Sequence, residues 1–551
     1  LDRYLCRRGK DQPLGYIVRD RGVIENPILP GFHADPSFCR VGEDYYIATS
    51  TFEWYPGVQI HHSRDLVNWT LVARPLNRRA LLDMRGNADS CGVWAPCLSY
   101  AQGKFWLVYT DVKRLDGAFK DAPNYITACE TIDGEWCDPW FINASGFDPT
   151  LFHDEDGRKW FANVQWNHRG AGTGCNPAHD SFDGILLQEW SPERGLCGPV
   201  KTIYTGTRRG LTEAPHLFKR NGYYYLTTAE GGTGYQHAVT LARSQNIWGP
   251  YETHPDLHVI CADGADGPIQ RTGHGQYVAT HWGDHYHTFL MGRPIADARG
   301  KPFCALGRET GIERVVWRDD WLYLERGGMV PAVHVAAPVA VDPLPASPVR
   351  RVFGGALPTE FQWLRTPDTA RIFREEADAL VLIGRESIGS WFEQALVARR
   401  QEHHCYAAVT ALDFAPTTYQ QAAGLTTYYN RHKFHALMVT YEPDLGRVLS
   451  LMSCAGDWPD GALTFPCEPV AIADGQVELR VTVDGATQQF WYRQGAEWAR
   501  VGPVLDASVI SDEGGRGEHA SFTGAFVGMV AYDVTGQGAE ARYRRFDYIP
   551  K

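Results

Sequence analysis

The chain contains 551 residues, of which 44% are hydrophobic and 21% are charged. This length is several times what one small core requires, so we expect two domains, or one large domain with an appendage. The 65 acidic residues outnumber the 53 basic ones and give a formal net charge of −12, which argues against nucleic-acid binding through phosphate neutralisation. Apolar stretches such as residues 333–341 are too short for the ~20 residues of a membrane-spanning helix. We therefore expect neither nucleic acid nor a membrane as a partner.

The N-terminal segment and the cysteines carry no targeting or cross-linking pattern. Residues 1–21 lack the apolar core of a secretory signal. We expect residues 1–24 to be a leader outside the fold and the protein to be cytoplasmic. The thirteen cysteines include no Cys-x-x-Cys pair and fit neither a disulfide framework nor a zinc ribbon. Most should be buried, reduced thiols.

The composition itself indicates the fold class. The chain has 18 Trp, 26 Tyr and 24 Phe together with 56 Gly and 33 Pro. Aromatic residues favour strands, whereas glycine and proline favour turns, so this composition predicts an all-β protein. Aromatic rings also stack on the apolar faces of sugars, although any single ring is more often part of a core.

Four segments share one order of features: a proline, a short strand, a glycine turn and an aromatic strand. They begin at Pro36, Pro96, Pro149 and Pro215, and a degenerate fifth copy begins at His274. The separations are 60, 53, 66 and 59 residues. This period is typical of four-stranded sheets repeated around an axis. We therefore predict a five-bladed β-propeller over residues 25–330.

The C-terminal part of the chain has a different pattern. Residues 331–349 are rich in proline, alanine and valine and predict a linker. Beyond them, Asp484-Gly485 lies where a tight hairpin turn would join two strands. Runs of apolar, β-branched or aromatic residues of strand length occupy residues 425–429, 434–441, 448–452 and 477–483. Because no helical period of useful length occurs, we predict a β-sandwich domain over residues 350–551.

Three acidic residues occupy matching positions in the repeats. Asp35 and Asp148 directly precede the repeat prolines, and Glu213 stands one residue earlier, before Ala214-Pro215. Propellers bring equivalent positions together at one mouth of the central channel, so we expect the three carboxylates to share a cavity. An isolated Asp-Pro pair more often only begins a turn. Glycosidic hydrolysis needs one protonated and one ionised carboxyl group, and a third carboxylate nearby favours the protonated state of its neighbour.

Several motifs that contain these residues resemble the β-xylosidases of glycoside hydrolase family 43, in the same order and over residues 25–551. The runs that carry the resemblance are Asn26-Pro27-Ile28-Leu29-Pro30-Gly31-Phe32-His33-Ala34-Asp35-Pro36-Ser37, Gly92-Val93-Trp94-Ala95-Pro96, Gly146-Phe147-Asp148-Pro149, Thr212-Glu213-Ala214-Pro215-His216, Leu306-Gly307-Arg308-Glu309-Thr310 and Phe522-Thr523-Gly524-Ala525-Phe526.

The resemblance implies an exo-acting enzyme that releases xylose from the non-reducing ends of β-1,4-xylo-oligosaccharides with inversion. Xylobiose and short xylo-oligosaccharides would then be its substrates. By motif position, Asp35 is the general base, Glu213 the general acid, and Asp148 the residue that tunes the acid and orients the substrate. The alternatives are an α-L-arabinofuranosidase, a bifunctional xylosidase/arabinofuranosidase and, more remotely, a noncatalytic sugar-binding propeller.

The resemblance also assigns residues around the carboxylates. Arg308 would bind sugar hydroxyl groups, Trp94 and Phe52 would line the terminal sugar site, and Trp166 would flank the next sugar. Phe522 would reach in from the sandwich domain and close the pocket. On the residues alone, each aromatic could equally belong to a blade core, and a lone arginine is more often in a surface ion pair.

The family match further places a largely hydrated calcium ion in the propeller channel beside His274. A packed core histidine is the competing interpretation, since calcium prefers oxygen ligands. The acid and base roles themselves require no cofactor.

Glu230 could be a further polar group near the pocket but fits a structural role better. We also expect the chain to form a homo-oligomer.

Overall fold

The computed structural model describes residues 22–170, 173–174, 181–345, 347–456, 461–514 and 521–551. Within these ranges the chain forms β-strands and two short 3-10 helices, Thr369–Arg371 and Ala507–Val509, with no α-helix. No helix in this described part is long and apolar enough to cross a membrane. The eleven cysteines that fall in it form no disulfide bond with one another, and seven of them are buried. The all-β prediction is confirmed.

The strands of the N-terminal part fall into five consecutive groups. The first contains β1 (Val23–Glu25), β2 (Ser37–Val41), β3 (Asp44–Thr49), β4 (Trp54–Tyr55), β5 (Gln59–Ser63) and β6 (Thr70–Ala73). The second contains β7 (Gly92–Val93), β8 (Cys97–Ala101), β9 (Lys104–Val112), β10 (Asn124–Cys129) and β11 (Trp140–Asn143). The third contains β12 (Thr150–His153), β13 (Lys159–Trp166), β14 (Phe182–Ser191) and β15 (Gly195–Tyr204). The fourth contains β16 (Glu213–Arg220), β17 (Tyr223–Glu230), β18 (Ala238–Ser244) and β19 (Glu252–Cys261). The fifth contains β20 (Gln270–Gly273), β21 (Tyr277–Ala279), β22 (His285–Gly292), β23 (Ile295–Ala296), β24 (Pro302–Phe303), β25 (Glu309–Arg318) and β26 (Trp321–Leu324), followed by β27 (His334–Ala336).

Each group contains one antiparallel blade of a five-bladed propeller, as the repeat period predicts. The strand orders are β2-β3-β5-β6, β8-β9-β10-β11, β12-β13-β14-β15, β16-β17-β18-β19 and β20-β22-β25-β26. In the first three blades the innermost strand begins at the residue after the repeat proline, at Ser37, Cys97 and Thr150. In the fifth blade the innermost strand is interrupted, and His274 lies in the gap between β20 and β21.

The N-terminal end of the propeller differs from the predicted boundaries in one respect. Strand β1 pairs with β27, with Val23 opposite Ala336 and Glu25 opposite His334. Part of the predicted leader 1–24 and part of the predicted linker 331–349 are therefore paired strands. Ile24, at the centre of β1, is fully buried. The rest of the leader, residues 1–21, lies outside the described residues.

The C-terminal part is a sandwich of two antiparallel sheets. Its strands are β28 (Val349–Val352), β29 (Gln362–Leu364), β30 (Phe373–Glu375), β31 (Leu380–Ile383), β32 (Ala395–Arg400), β33 (Cys405–Asp413), β34 (Gln421–Asn430), β35 (Lys433–Glu442), β36 (Gly446–Ala455), β37 (Leu463–Thr464), β38 (Val470–Ala471), β39 (Val477–Asp484), β40 (Thr487–Arg493), β41 (Ala499–Asp506), β42 (Phe526–Asp533) and β43 (Glu540–Pro550). One sheet has the order β30-β31-β43-β33-β39-β40-β41, and the other has the order β37-β36-β35-β34-β42-β32-β29-β4. Strand β39 alternates buried apolar with partly exposed polar side chains, so one of its faces packs against the core.

The two domains share a strand and a hydrophobic core. Strand β4, from the propeller sequence, pairs with β29 of the sandwich, with Tyr55 opposite Trp363. The neighbouring Trp54 is fully buried, and its ring stacks on Phe526 at a centroid distance of 3.6 Å. Burial of aromatic rings contributes strongly to such interfaces. The sandwich is therefore packed against the propeller beside its first blade.

Candidate active site

A pocket of about 410 Å³ opens at the propeller axis and contains every residue that the sequence assigned to catalysis or substrate binding. Asp35 comes from the first blade, Asp148 from the third and Glu213 from the fourth, and all three are buried in its wall. The other assigned residues that line it are Phe52, Trp94, Trp166, His274, Arg308 and Phe522. The structure thus brings together side chains that are up to 487 positions apart in the sequence, from Asp35 to Phe522.

The backbone places the three carboxylates by one repeated device. Asp35, Asp148 and Ala214 each precede a repeat proline and have positive φ angles of 57°, 52° and 56°. This left-handed conformation is rare for residues with a side chain and costs of order 1–3 kcal/mol. The sharp bend turns the chain into the innermost strand just where the side chains enter the pocket. The Asp-Pro pairs do begin a turn, which is the usual role of an isolated Asp-Pro pair. They also present their carboxylates to the cavity.

Asp35 is held as an anion by three neighbours. Arg308 Nη1 donates to its Oδ1 at 3.2 Å, His274 Nδ1 lies 3.4 Å from the same oxygen, and the Ser50 hydroxyl donates to Oδ2. Burial by itself raises the pKa of Asp35, but the Arg308 charge and the hydrogen bonds outweigh it and hold the pKa well below its usual range. Asp35 is therefore an ionised carboxylate throughout the neutral range.

Glu213 and Asp148 form a coupled pair with the opposite behaviour. Burial and the negative charge of Asp35 raise the pKa of Glu213 well above its ordinary value, although Arg308 and Lys120 oppose the shift. Burial, then Glu213 and Asp35, raise the pKa of Asp148 as well, while the Ala214 amide donates to its Oδ2 at 3.2 Å. Because like charges in a desolvated site disfavour each other, the pair retains protons at neutral pH.

Three aromatic rings form the wall beside Asp35. Phe52, Trp94 and Phe522 contact one another with centroid distances of 6.0 to 6.3 Å. Ser90 joins two of them, since its carbonyl accepts from Trp94 Nε1 at 2.8 Å and its hydroxyl accepts from the Phe522 amide at 3.0 Å. Arg308 donates to the Phe522 carbonyl at 2.8 Å. The sandwich residue Phe522 is thus tied into the propeller site by hydrogen bonds on both sides.

The outer part of the pocket contains residues that the sequence reasoning did not single out. Lys120 Nζ lies 4.4 Å from the centre of the Trp166 ring and 5.6 Å from that of Trp94, and it donates to the Leu115 carbonyl at 2.9 Å. Phe147 packs edge-on against Trp94 at 5.1 Å. Phe147 precedes Asp148 within a recognised motif and could have been found, whereas Lys120 belongs to a loop with no repeat pattern.

His274 lines the pocket, and its ring lies 5.9 Å from the ring of His216. Both ring nitrogens of His216 and the Nε2 atom of His287 lack hydrogen-bond partners among the described residues. No group of three or more His, Cys, Asp or Glu side chains in this part of the chain could hold a metal ion. Imidazole nitrogens are a poor match for calcium, which takes six to eight oxygen ligands. The described side chains alone do not form a calcium shell, and we derive no chemistry from that ion.

Glu230 supports the pocket from outside. It is fully buried, does not line the cavity, and accepts from the Thr207 amide at 2.6 Å and from the Thr212 hydroxyl at 3.1 Å. Thr212 directly precedes Glu213. The side chain of Glu230 therefore holds the segment that carries Glu213, which agrees with the structural role expected from the sequence.

The site as a whole combines an ionised carboxylate, a protonated carboxyl group and a cavity lined by aromatic rings. Such a pair can deprotonate a water molecule on one side of a sugar and protonate a leaving oxygen on the other. The wall that Phe52, Trp94 and Phe522 form on one side of the cavity favours entry of a chain end over the middle of a chain. The geometry therefore suits hydrolysis of a terminal glycosidic bond.

Comparison with known proteins gives the same result for both domains. Residues 24–322 match the family described as "Glycosyl hydrolases family 43", and residues 353–549 match "Beta xylosidase C-terminal Concanavalin A-like domain". The chain is 56% identical to "Xylosidase/arabinosidase 43B" of Humicola insolens over 96% of its length and 98% of the relative. It is 46% identical to "Beta-xylosidase" of Bacillus subtilis over 96% of this chain and 100% of the relative.

A solved structure agrees with these matches. The crystal structure of xylan beta-1,4-xylosidase from Bacillus halodurans superposes with a TM-score of 0.90 at 45% identity, covering 96% of this chain and 100% of that one. Members of the matched family are inverting glycosidases that need no cofactor for catalysis. The chain belongs to glycosyl hydrolase family 43.

Proposed function

We propose that the protein is an exo-acting β-xylosidase that removes xylose from the non-reducing ends of β-1,4-xylo-oligosaccharides with inversion. Its substrates would be xylobiose and short xylo-oligosaccharides. The observation that carries the proposal is the separation of carboxyl pKa values within one pocket, with the pKa of Asp35 low and that of Glu213 high. The printed names of the relatives from Humicola insolens and Bacillus subtilis support the choice of xylose.

In this proposal Asp35 is the general base. Its carboxylate is ionised and lies on the Arg308 side of the pocket, where it accepts the proton of a water molecule that attacks the anomeric carbon. Glu213 is the general acid and donates its proton to the departing glycosidic oxygen. Asp148 would tune this acid through like-charge repulsion, since the charge of Glu213 raises the pKa of Asp148, and the Ala214 amide aligns the Asp148 carboxyl group. An inverting reaction of this kind needs room for the water between the two carboxyl groups.

The remaining pocket residues would bind and orient the sugar chain. Arg308 would hydrogen-bond the hydroxyl groups of the terminal xylose, while Phe52 and Trp94 enclose its ring. Trp166, whose indole donates to the Ala118 carbonyl at 2.9 Å, would flank the second sugar. Phe522 closes the far side, so only a chain terminus would reach the carboxylates. Release of single units from chain ends follows from this shape.

The most direct test is proton NMR of the first sugar released from xylobiose. We expect initial α-xylose, because direct attack by water inverts the β-linkage. Initial β-xylose would require a nucleophilic carboxylate and would overturn the assignment of Asp35 as a base. Binding of xylobiose without any hydrolysis by the wild-type protein would instead favour a noncatalytic sugar-binding propeller.

A second activity, on α-L-arabinofuranosides, is supported by one specific observation. The relative with 56% identity is named a xylosidase/arabinosidase. An arabinofuranose ring can be overlaid on a xylose ring in the same pocket, so both substrates would use Asp35 and Glu213. Comparing kcat/KM for the 4-nitrophenyl β-xyloside and the matched α-L-arabinofuranoside decides the balance. A clear preference for the arabinoside would make arabinofuranosidase the main activity.

We further propose that the active species is a homo-oligomer located in the cytoplasm. Light scattering coupled to size exclusion should give a multiple of the chain mass of 61.7 kDa. A mass of one chain at assay concentration would reject the oligomer. Fractionation of the source cells tests the location.

A further inference from the structure

A second cavity, of about 260 Å³, lies between the propeller and the sandwich, separate from the catalytic pocket. We call it the seam cavity. Its lining includes His33, Gln59, His61 and Trp69 from the propeller and Arg400 and Glu402 from the sandwich. The residues assigned to catalysis and sugar binding line the other pocket. The seam cavity is therefore a separate feature that the proposed hydrolysis does not use.

The charges around this cavity are unbalanced. Glu360 is paired with Arg351 at 2.5 Å, and Glu402 with Arg399 at 2.9 Å. Arg74 and Arg400 are left without a carboxylate within 4.0 Å among the described residues. Arg400 is only 3% exposed. An arginine does not lose its charge in proteins, and a buried charge without a counter-ion is costly.

The guanidinium groups are fixed in place by neutral oxygen atoms. Arg400 donates to the Phe32 carbonyl and to Gln362 Oε1, and Arg74 donates to the carbonyls of Thr359 and Phe361. When the Gln59 side-chain amide is oriented so that its oxygen faces donors and its nitrogen faces an acceptor, the oxygen accepts from Arg400 at 3.1 Å and from Arg74 at 2.9 Å. The two cations thus converge on the Gln59 side chain, which lines the cavity together with Arg400, and the neutral oxygen atoms hold both cations in this arrangement.

Polar atoms that could contact a ligand lie beside them. His61 Nδ1 has no hydrogen-bond partner among the described residues, and Arg400 forms its hydrogen bonds there through Nε and Nη1. Both side chains are at least nine-tenths buried. Burial and the neighbouring Arg400 and Arg74 charges lower the pKa of His61 to about 3, so its ring is neutral at pH 7. Bound negative charge would relieve the repulsion between the two arginines.

We propose that the seam cavity binds a small oxyanion, of the phosphate or carboxylate class, between Arg74 and Arg400. Planar guanidinium groups match the oxygen geometry of both classes. Inorganic phosphate and the carboxylate of a sugar acid are the two sources of such an anion. Binding would join the domains behind the segment that carries Asp35, since His33 lies two residues before it. The ring of Phe32 also packs against Phe52 at 5.8 Å.

Thermal unfolding at constant ionic strength tests the proposal without relying on the glycosidase activity. Inorganic phosphate and glucuronate are titrated in separate arms, with chloride as the balancing anion. We expect a saturable rise in Tm of about 1–3 °C in at least one arm, and the stronger arm identifies the source. Arg74→Gln and His61→Leu should each abolish the anion-dependent rise. Arg64→Gln, which changes a 69% exposed arginine of the same blade, should retain it.

A rise that does not saturate, or one that is equal in Arg74→Gln and Arg64→Gln, would reject the proposal. A second measurement needs no variant. Crystals of the wild-type protein are soaked in selenate, a tetrahedral oxyanion with an anomalous signal. We expect an anomalous peak within hydrogen-bond distance of Arg400 Nη2, and its absence at saturating selenate would overturn the site.

Discussion

At the residue scale, the chemistry depends on how differently two carboxyl groups of similar intrinsic acidity behave in one pocket. Asp35 has an arginine, a histidine and a serine around its oxygens, whereas Glu213 faces Asp35 and the Asp148 carboxyl group. Burial raises the pKa of both, so the neighbours decide the outcome. No other single interaction lowers the pKa of Asp35 as much as the Arg308 charge does. The Arg308 charge also lowers the pKa of Glu213, but not enough to offset burial and the Asp35 charge.

Replacement of Asp35 and replacement of Glu213 should lower kcat/KM in ways that depend differently on the leaving group of the substrate. We expect Asp35→Asn to lower kcat/KM at least ~10³-fold for xylobiose and for dinitrophenyl β-xyloside, since both need an activated water. Glu213→Gln should lose a similar factor on xylobiose but less than ~10-fold on the dinitrophenyl substrate, which leaves without protonation. Steady-state kinetics on the two substrates measures this. Glu155→Gln, at an exposed carboxylate, is the control. Equal losses for both substrates in Glu213→Gln would contradict its role as the acid.

The charge of Arg308 should set both limbs of the pH profile. Activity needs ionised Asp35, so it falls as pH drops through that lowered pKa, and it needs protonated Glu213, so it falls as pH rises through that raised pKa. Arg308 lowers both values. In Arg308→Met we therefore expect both limbs of kcat/KM to move to higher pH, with Arg308→Lys closer to wild type. The dinitrophenyl xyloside does not need the Glu213 proton, so its pH profile tests only the acid limb. The pH profile on xylobiose tests both limbs. A shift to lower pH, or movement of only one limb on xylobiose, would contradict the assignment.

At the scale of structural elements, the pocket depends on a sandwich loop that reaches into the propeller. Phe522 is held by Ser90 on one side and Arg308 on the other, and the loop passes directly over Gly307. A side chain at Gly307 would meet the Thr523 carbonyl oxygen at 2.0 Å, at a positive φ of 70°. Only glycine fits this approach without displacing the loop.

We therefore expect Gly307→Ala to weaken substrate binding by displacing Phe522. KM for xylobiose should rise several-fold, with a smaller change in kcat, because the carboxylates remain in place. Gly103→Ala is the matched control, since Gly103 has a φ of 76° and no atom within 4 Å of an added Cβ. Gly103→Ala therefore has the strain of a positive φ angle, but its methyl group does not collide with another atom. Equal kinetic effects in the two variants would show that strain, and not the Phe522 loop, is responsible.

At the scale of the whole molecule, the two domains form one unit. Strand β4 lies in the sandwich sheet, and a buried ion pair joins Arg271 of the fifth blade to Asp512 of the sandwich at 2.6 Å. Tyr429 donates to the second oxygen of Asp512 at 2.5 Å, and Arg271 also donates to the Thr233 carbonyl at the pocket rim. Loss of either domain would expose this polar network and the Trp54 ring.

We expect Asp512→Asn to destabilise the full chain by roughly 1.5–3 kcal/mol, because it removes the nearer of two carboxylates that pair with the buried Arg271, while Glu513 remains 3.3 Å away. Urea unfolding followed by tryptophan fluorescence and by circular dichroism measures this. Both probes should show one shared transition, since the domains share a sheet and a core. Asp116→Asn, at an exposed loop carboxylate, should leave the midpoint unchanged. Two separate transitions in the wild-type protein would contradict the single unit.

The sequence by itself determined the fold class, the blade period and the positions of the three carboxylates. Repeats in a closed ring bring equivalent positions to the axis, so Asp35, Asp148 and Glu213 could be placed together without coordinates. The same reasoning did not find Lys120, because its loop belongs to no repeat. The pairing of β1 with β27 was also missed, since short strands at a ring closure carry little local pattern.

Only the tertiary structure decided how these residues act. The pKa values of Asp35 and Glu213 depend on which charges approach each oxygen, and Arg308 reaches Asp35 from 273 positions away. The Ser90 bond to Phe522 and the convergence of Arg74 and Arg400 likewise join distant segments. Electrostatic energies vary with distance and burial over a few ångströms. Residue order does not specify such distances until the propeller and the sandwich are packed together.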